Sequence, residues 1–180
     1  MEITGYILAG GNSSRMGFEK GLAEYKEKSL VAYSVKLLQV FTPEIKICTN
    51  NKAYEKYRLP LIHDIHQGAG PIAGLHAALE NTSTELNLFL PCDMPFLKAE
   101  TIQKLLPFTD NFQAVVLGTK NNHKIPTVGI YKKSALQVIE HQISKSDYKL
   151  HNLVDGLNSK VFIVEDEQQL VNINTPDDLA

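Results

Sequence analysis

The sequence is poor in several features that would assign a protein to a specialised class. Its 180 residues contain only two cysteines, Cys48 and Cys92, each after an apolar run, so we expect reduced core residues rather than a disulfide bridge. The formal net charge is only −2, which argues against a nucleic-acid partner and confines any phosphate affinity to a local site. No apolar stretch approaches the roughly 20 residues that span a bilayer. The N-terminus does not show the basic and then apolar layout of a signal peptide, because Glu2 interrupts it. These absences predict a cytoplasmic protein with neither nucleic-acid nor membrane partners.

Several well-known catalytic and phosphate-binding patterns are missing as well. The Gly-x-Gly-x-x-Gly fingerprint of dinucleotide-binding proteins does not occur, and neither does the Gly-Lys-Ser/Thr of a Walker loop. The sequence also offers no convincing Ser-His-Asp or Cys-His set for nucleophilic catalysis. Any chemistry on phosphates must therefore rely on a different arrangement.

What the chain does contain is an alternation of apolar strands and amphipathic helices, with 43% hydrophobic and 21% charged residues. Strands are predicted at 3–8, 45–49, 59–63, 86–90, 114–117, 127–131, 161–164 and 170–174. Helices are predicted at 30–41, 72–80, 99–106, 134–143 and 148–157, and a last one opens at Thr175. This order predicts a single α/β domain over residues 1–180, with a mostly parallel Rossmann-like sheet between two helical layers.

The first predicted strand ends in a loop of small residues. Gly10 and Gly11 have no Cβ, so the backbone there can approach a ligand closely and turn its N–H groups toward phosphate oxygens. Arg15 and Lys20 follow and supply two permanent cations. Close approach and positive charge together predict a binding site for a nucleoside triphosphate.

Polar residues also follow three later strands of the predicted sheet. These residues are Asn50, Asp64 and Asp93, and ligands of such sheets bind beyond the carboxyl ends of the strands. Carboxylates next to phosphates repel them unless a cation lies between, and Mg²⁺ is the usual cation. Asp93, between two prolines after the most apolar strand, is the predicted metal ligand. Asn50 and Asp64 suit the edge of a base or a ribose hydroxyl, and Asp64 as an acceptor favours guanine.

Six motifs in this order carry a resemblance that spans nearly the whole chain. They are Leu8-Ala9-Gly10-Gly11, Arg15-Met16-Gly17, Lys20-Gly21-Leu22, Gly70-Pro71-Ile72-Ala73-Gly74, Pro91-Cys92-Asp93-Met94-Pro95 and Asn172-Ile173-Asn174-Thr175-Pro176. The sequence resembles the molybdenum cofactor guanylyltransferase family. The resemblance implies a fold like that of nucleotide-diphospho-sugar transferases and Mg²⁺-dependent transfer of GMP from GTP to molybdopterin, with or without molybdenum, which releases pyrophosphate.

The resemblance also implies roles for individual residues and for partners. Lys20, Asp93 and Arg15 would be catalytic, Asp93 would bind the metal, and Asn172 and Asn174 would face the acceptor. The predicted GTP-binding residues are Leu8, Ala9, Gly10, Gly11, Lys20, Asn50, Asp64 and Asp93. Transient contacts with other proteins of molybdenum cofactor biosynthesis are expected.

Two alternative functions remain open at this point. One is the same chemistry with CTP, on molybdopterin or another small phosphorylated acceptor. The other is a nucleotide-binding module without catalysis, against which the presence of both Lys20 and Asp93 argues. A phosphate acceptor is already ionised at neutral pH, since the second pKa of a phosphate monoester is about 6. The lack of a general base is therefore compatible with either transfer reaction.

Overall fold

The computed structural model describes residues 2–10, 19–66 and 68–179. The strands are β1 (Ile3–Leu8), β2 (Glu24–Tyr25), β3 (Lys28–Ser29), β4 (Ile45–Cys48), β5 (Leu61–Ile62), β6 (Leu86–Pro91), β7 (Ala114–Gly118), β8 (Lys124–Lys132) and β9 (Ser159–Ile163). The α-helices are α1 (Leu30–Leu38), α2 (Pro71–Glu80), α3 (Ala99–Gln103), α4 (Leu136–Ser144) and α5 (Leu150–Gly156). Short 3-10 turns lie at Lys20–Leu22, Lys52–Tyr57, Leu106–Phe108, Lys133–Ala135, Glu167–Leu170 and Pro176–Leu179. None of the helices in these ranges has the length and hydropathy needed to cross a membrane.

Seven strands form one sheet in the order β5-β4-β1-β6-β8-β7-β9. All neighbours pair in parallel except at β8, which runs antiparallel to both β6 and β7. The carboxyl ends of the six parallel strands therefore share one edge of the sheet, and β8 begins at that same edge. The mostly parallel α/β sheet predicted from the sequence is confirmed.

Helices cover both faces of the sheet, because the central strands are apolar on both sides. In β1, Tyr6 and Leu8 pack in a core with α2, α4 and α5, whereas Ile7 packs in a second core with α1 and α3. Every residue of β1 and β6 is buried, as expected for strands between two helical layers. Cys48 and Cys92 are free and buried, in agreement with the prediction.

Two predictions about the later part of the chain are wrong. The predicted strand at 170–174 is absent, because Glu167–Leu170 forms a 3-10 turn and residues 171–174 pair with no strand of the sheet. The predicted last helix is a single 3-10 turn, Pro176–Leu179. The segment between these two turns crosses the carboxyl edge of the sheet, where the backbone N–H of Ile173 donates to the carbonyl of Asp93 at 2.9 Å.

Candidate active site

The end of β1 forms one wall of a cavity. Leu8, Ala9 and Gly10 all line it, and the N–H of Ala9 donates to the carbonyl of Cys48 at 3.0 Å, which continues the pairing with β4 past the end of the strand. A Cβ added to Gly10 would lie 3.3 Å from Asp64 Oδ2. The missing side chain thus lets the end of β1 and Asp64 approach each other closely.

Two predicted phosphate contacts cannot be placed. Gly11 and Arg15 both belong to residues 11–18, which lie outside the described residues. Their roles in phosphate binding stay predictions from the sequence. The structural description resumes at Glu19.

Glu19 anchors the chain where it re-enters the site. Its Oε1 accepts a hydrogen bond from the Tyr54 hydroxyl at 2.9 Å, and its Oε2 accepts one from Asn51 Nδ2 at 3.1 Å. Burial raises the pKa of the Tyr54 phenol, so this group remains a donor to the carboxylate. Lys20 follows directly, at the start of a 3-10 turn. The 3-10 turn that carries Lys20 is therefore attached to the connection between β4 and β5.

Lys20 joins two segments that are distant in the sequence. Its Nζ donates to Asp93 Oδ2 at 2.9 Å and to Asn174 Oδ1 at 2.7 Å. A lysine ammonium is a compact charge on a flexible stem, and two acceptors restrict where it can lie. The sequence grouped Lys20 with Asp93, and the structure brings them into direct contact.

Asp93 lies directly beyond β6, where the carboxyl edge of the sheet places it beside β1. The residue is buried, with 9% of its surface exposed. One carboxylate oxygen, Oδ2, accepts from Lys20, whereas the other, Oδ1, is buried and accepts no hydrogen bond from the described residues. A buried carboxylate oxygen without a donor is costly, so this atom is suited to a ligand.

The donor set at Asp93 fits a divalent cation bound together with a nucleotide. The described residues contain no cluster of three or more His, Cys, Asp or Glu side chains that would enclose a metal by themselves. Mg²⁺ rarely uses such an enclosure, because it keeps several waters and takes one or two carboxylates plus phosphate oxygens. Asp93 provides one such carboxylate, because its Oδ1 accepts no hydrogen bond from the described residues and the residue lines a cavity together with Gly10 and Lys20.

Asn50 and Asp64 form a second polar pair on the same edge of the sheet. Asn50 Oδ1 accepts from the backbone N–H of Asp64 at 3.0 Å, which leaves the Nδ2 group of Asn50 as its donor for a ligand. Asp64 Oδ1 is buried and receives no hydrogen bond from the part of the chain that is described. Burial raises the pKa of Asp64, and the nearby His63 opposes this rise only in part. The carboxyl group is thus suited to a donor from a ligand, since no described residue supplies one.

The two asparagines near the C-terminal end lie in different surroundings. Asn174 contacts Lys20, whereas Asn172 lines the cavity that contains Lys20 and Asp93 and also a second, neighbouring cavity. The sequence assigned both to the acceptor side. Asn172 occupies a position between the two cavities, and Asn174 lies directly against the catalytic candidate Lys20.

Two cavities adjoin at the carboxyl edge of the sheet. The first, of about 190 Å³, is lined by Leu8, Ala9, Gly10, Glu19, Lys20, Pro71, Pro91, Cys92, Asp93, Thr127 and Asn172. The second, of about 520 Å³, is lined by Pro71, Thr119, His123, Lys124, Ile125, Pro126, Thr127, Tyr148, Leu150, His151, Glu167, Leu170, Val171 and Asn172. They share Pro71, Thr127 and Asn172, so a molecule in one cavity can touch a molecule in the other.

Sequence reasoning missed Glu19 and Thr127 as residues of the site. The sequence signal for Glu19 was its position directly before Lys20, because a residue next to a short turn can help to hold that turn in place. Thr127 reaches the cavity because β8 is antiparallel and its first half lies at the carboxyl edge. The sequence did not reveal the direction of β8, so it gave no signal for Thr127.

The replacement of Gly21 by Ala is expected to disturb Lys20 through a steric clash. A Cβ at Gly21 would clash with the Tyr54 hydroxyl and lie 3.2 Å from Cys92 Cβ, and the Tyr54 side chain is fully buried. Overpacking of this kind costs about 1–3 kcal/mol. We expect a lower midpoint of thermal unfolding and weaker nucleotide binding. Gly156→Ala serves as the control, because its Cβ would meet only an ordinary contact at 3.7 Å. Equal midpoints for both variants would contradict this account.

Comparison with known proteins gives the family. The family model described as the MobA-like NTP transferase domain matches residues 5–161. A probable molybdenum cofactor guanylyltransferase of Flavobacterium johnsoniae is 31% identical, and the match covers 98% of this chain and 94% of the relative. A protein of the same name from Halalkalibacterium halodurans is 35% identical, with 98% and 95% covered.

Solved structures agree with this assignment. The molybdopterin-guanine dinucleotide biosynthesis protein A of Archaeoglobus fulgidus superposes with a TM-score of 0.81 at 27% identity, over 98% of this chain and 94% of that one. A CMP:2-keto-3-deoxy-manno-octonic acid synthetase superposes with a TM-score of 0.76 over 98% of this chain and 95% of that one, but at 14% identity it shares the fold alone. The protein therefore belongs to the MobA-like NTP transferase family and is a nucleotidyltransferase.

Proposed function

We propose that this protein transfers GMP from GTP to molybdopterin, which forms a guanine dinucleotide and releases pyrophosphate. The observation that carries the proposal is the pair formed by Lys20 and Asp93, 2.9 Å apart, with a second Asp93 oxygen that the described residues leave without a donor. The names of the relatives from Flavobacterium johnsoniae and Halalkalibacterium halodurans supply the choice of nucleotide and acceptor. Contacts with other proteins of the same biosynthesis form part of the proposal.

The reaction begins with attack by an ionised oxygen of the acceptor phosphate on the α-phosphorus of GTP. A new P–O bond forms there, the bond from the α-phosphorus to the bridging oxygen breaks, and pyrophosphate leaves with that electron pair. The acceptor oxygen needs no general base, because the phosphate monoester is already largely dianionic at neutral pH. The protein therefore contributes mainly position and charge.

Lys20 stabilises the charge that develops on the α-phosphoryl oxygens. Its ammonium is preorganised by Asp93 and Asn174, so it need not reorient during the reaction. Arg15 and the amides of the glycine loop are proposed to hold the departing pyrophosphate. Mg²⁺, when bound to Asp93 and phosphate oxygens, would neutralise the negative charge of the triphosphate.

The adjoining cavities suit the two substrates of such a transfer. The smaller cavity, with Gly10, Lys20 and Asp93, suits the phosphates of the nucleotide. The larger cavity offers Lys124, His123 and His151 as polar groups together with apolar walls, which suits the acceptor. Thr127 and Asn172, shared by both cavities, would lie near the point of transfer.

Guanine selection is proposed to depend on Asp64. Guanine presents N1–H and N2–H as donors, and Asp64 Oδ1 is a buried acceptor without a described partner. Cytosine presents one exocyclic donor, so it satisfies this group less well. A site built to bond a particular donor discriminates strongly against a ligand that lacks it.

Pyrophosphate release with GTP and with CTP tests the proposal. With molybdopterin and Mg²⁺ present, we expect release with GTP at least ~10-fold faster than with CTP, because an unmatched buried polar group costs about 1–3 kcal/mol. Faster release with CTP would assign a cytidylyltransferase, and nucleotide binding without release would assign a binding module. Asp64→Asn in the same assay should reduce the GTP preference, whereas Asp110→Asn, an exposed carboxyl at the opposite edge of the sheet, should not.

A further inference from the structure

One acidic side chain, Asp178, forms hydrogen bonds within the segment from Asn174 to Leu179. Asp178 Oδ2 accepts hydrogen bonds from the backbone N–H groups of Asn174 at 2.8 Å and Thr175 at 2.9 Å. The backbone N–H of Asp178 in turn donates to the carbonyl of Thr175 at 3.1 Å. The carboxylate of Asp178, the third residue of the turn, thus bonds the backbone of the residue that precedes the turn, which is one half of a capping box. Asp178 thereby fixes the backbone at Asn174.

The same backbone segment is attached to the active site on its other side. Ile173 is buried in a small apolar cluster with Ala23 and Leu30, and Leu179 packs against that cluster. The Ile173 N–H also donates to the carbonyl of Asp93 at 2.9 Å. The peptide between Asn172 and Ile173 is therefore bound to the loop that carries Asp93, and both peptides that flank Asn174 are bound to Asp178.

Asn174 itself has little burial to hold it in place. The residue is exposed, yet its Oδ1 lies 2.7 Å from Lys20 Nζ. An exposed side chain keeps one orientation only when its backbone is fixed and its contacts are satisfied. The two backbone hydrogen bonds to Asp178 meet the first of these conditions. They also hold the pKa of Asp178 below its usual value, so the carboxylate remains charged.

We propose that Asp178 is a positioning residue for the transfer reaction, which it affects through Asn174 and Lys20. Asp178 holds the backbone of Asn174, Asn174 Oδ1 fixes the ammonium of Lys20, and Lys20 acts on the α-phosphate. The effect on catalysis rests on the proposed function, since Lys20 matters only if phosphoryl chemistry takes place there. Asp178 itself is not among the residues that line either cavity.

Three single variants test this role by steady-state kinetics with GTP. We expect Asp178→Ala to lower kcat about fivefold to tenfold, with little change in the KM for GTP. A decrease of this size in kcat corresponds to the free energy lost with a helix cap. Asp177→Ala removes the same charge from the neighbouring exposed position, whose side chain makes no hydrogen bond to the described residues, and should leave kcat unchanged. Asp178→Asn keeps an acceptor oxygen and should retain most of the activity. An unchanged kcat in Asp178→Ala, or an equal loss in Asp177→Ala, would overturn the proposal.

A double variant separates positioning from a general structural effect. If Asp178 acts through Asn174, then Asn174→Ala combined with Asp178→Ala should be no slower than Asn174→Ala alone, whereas multiplied losses would overturn the proposal. Hydrogen exchange at the amides of Asn174 and Thr175 gives a readout without turnover. Loss of their protection in Asp178→Ala, but not in Asp177→Ala, is expected even if the wild-type protein releases no pyrophosphate. If the wild-type protein released no pyrophosphate, the proposed function would be refuted. If hydrogen exchange at Asn174 and Thr175 were unchanged in Asp178→Ala, the role of Asp178 would be refuted.

Discussion

Asp93→Asn is expected to lower the turnover of GTP at least ~10²-fold, the scale on which a key electrostatic contact in an active site operates. The variant keeps the shape of the side chain but removes its negative charge. It therefore weakens the attraction for both Lys20 and a divalent cation at Oδ1. Pyrophosphate release as a function of Mg²⁺ concentration is the measurement. We expect a lower maximal rate and a higher Mg²⁺ concentration at half saturation.

The chain provides a matched control for this variant. Asp166 forms an ion pair with Lys98 at 2.7 Å, similar in kind to the pair of Asp93 with Lys20, but both of its members are well exposed. Exposed ion pairs contribute little, because water screens them. Asp166→Asn should therefore leave turnover unchanged. A near-normal rate in Asp93→Asn, or an equal loss in both variants, would contradict the role assigned to Asp93.

Lys20→Ala is expected to cause a loss of similar size, at least ~10²-fold in the rate of a single turnover. The variant removes the ammonium that faces the α-phosphate in the proposed reaction. It also leaves the buried Asp93 without the cation that contacts Oδ2, so repulsion between the carboxylate and the triphosphate should weaken GTP binding. Rapid mixing of enzyme in excess over GTP, in the presence of acceptor, measures the chemical step directly.

Two further lysine variants sharpen the interpretation. Lys20→Arg retains the charge but replaces a compact ammonium by a planar guanidinium, and it should recover only part of the rate. Lys98→Ala removes an exposed lysine that pairs with Asp166 and should have no effect on the rate. If Lys20→Ala turned over GTP at a near-normal rate, Lys20 would have no catalytic role.

One physical reason explains why the sequence predicted both the fold and the edge of the sheet that carries the site. Parallel strands covered by helices on both faces are mostly apolar, so β1 and β6 are recognisable as apolar runs although Thr4, Gly5 and Asn87 interrupt them. Residues that follow such strands meet at one edge, and this rule alone brings Gly10, Asp64 and Asp93 together. The observed proximity of Gly10 and Asp64 and the contact of Lys20 with Asp93 agree with that reasoning.

Predictions from the sequence were wrong or incomplete where the direction or pairing of a segment depends on distant partners. Residues 171–174 alternate apolar and polar side chains like a strand, but this segment passes over the sheet edge, and its backbone N–H groups bond Asp93 and Asp178 instead. The direction of β8 depends on its pairing with β6 and β7, which local pattern does not encode. The roles of Asn172 and Asn174 could not be distinguished for the same reason.

The contact between Lys20 and Asn174 joins residues 154 positions apart, so this contact can form only late in the synthesis of the chain. At roughly 5–20 residues per second, a ribosome adds Asn174 about 8–30 s after Lys20. In that interval β1 and β6 can pair and bring Lys20 to Asp93, but Asn174 is not yet present to accept a hydrogen bond from the ammonium. Closing so long a loop is also the slow kind of step in folding. On the nascent chain, Lys20 and Asp93 can therefore meet before Asn174 is available to contact Lys20.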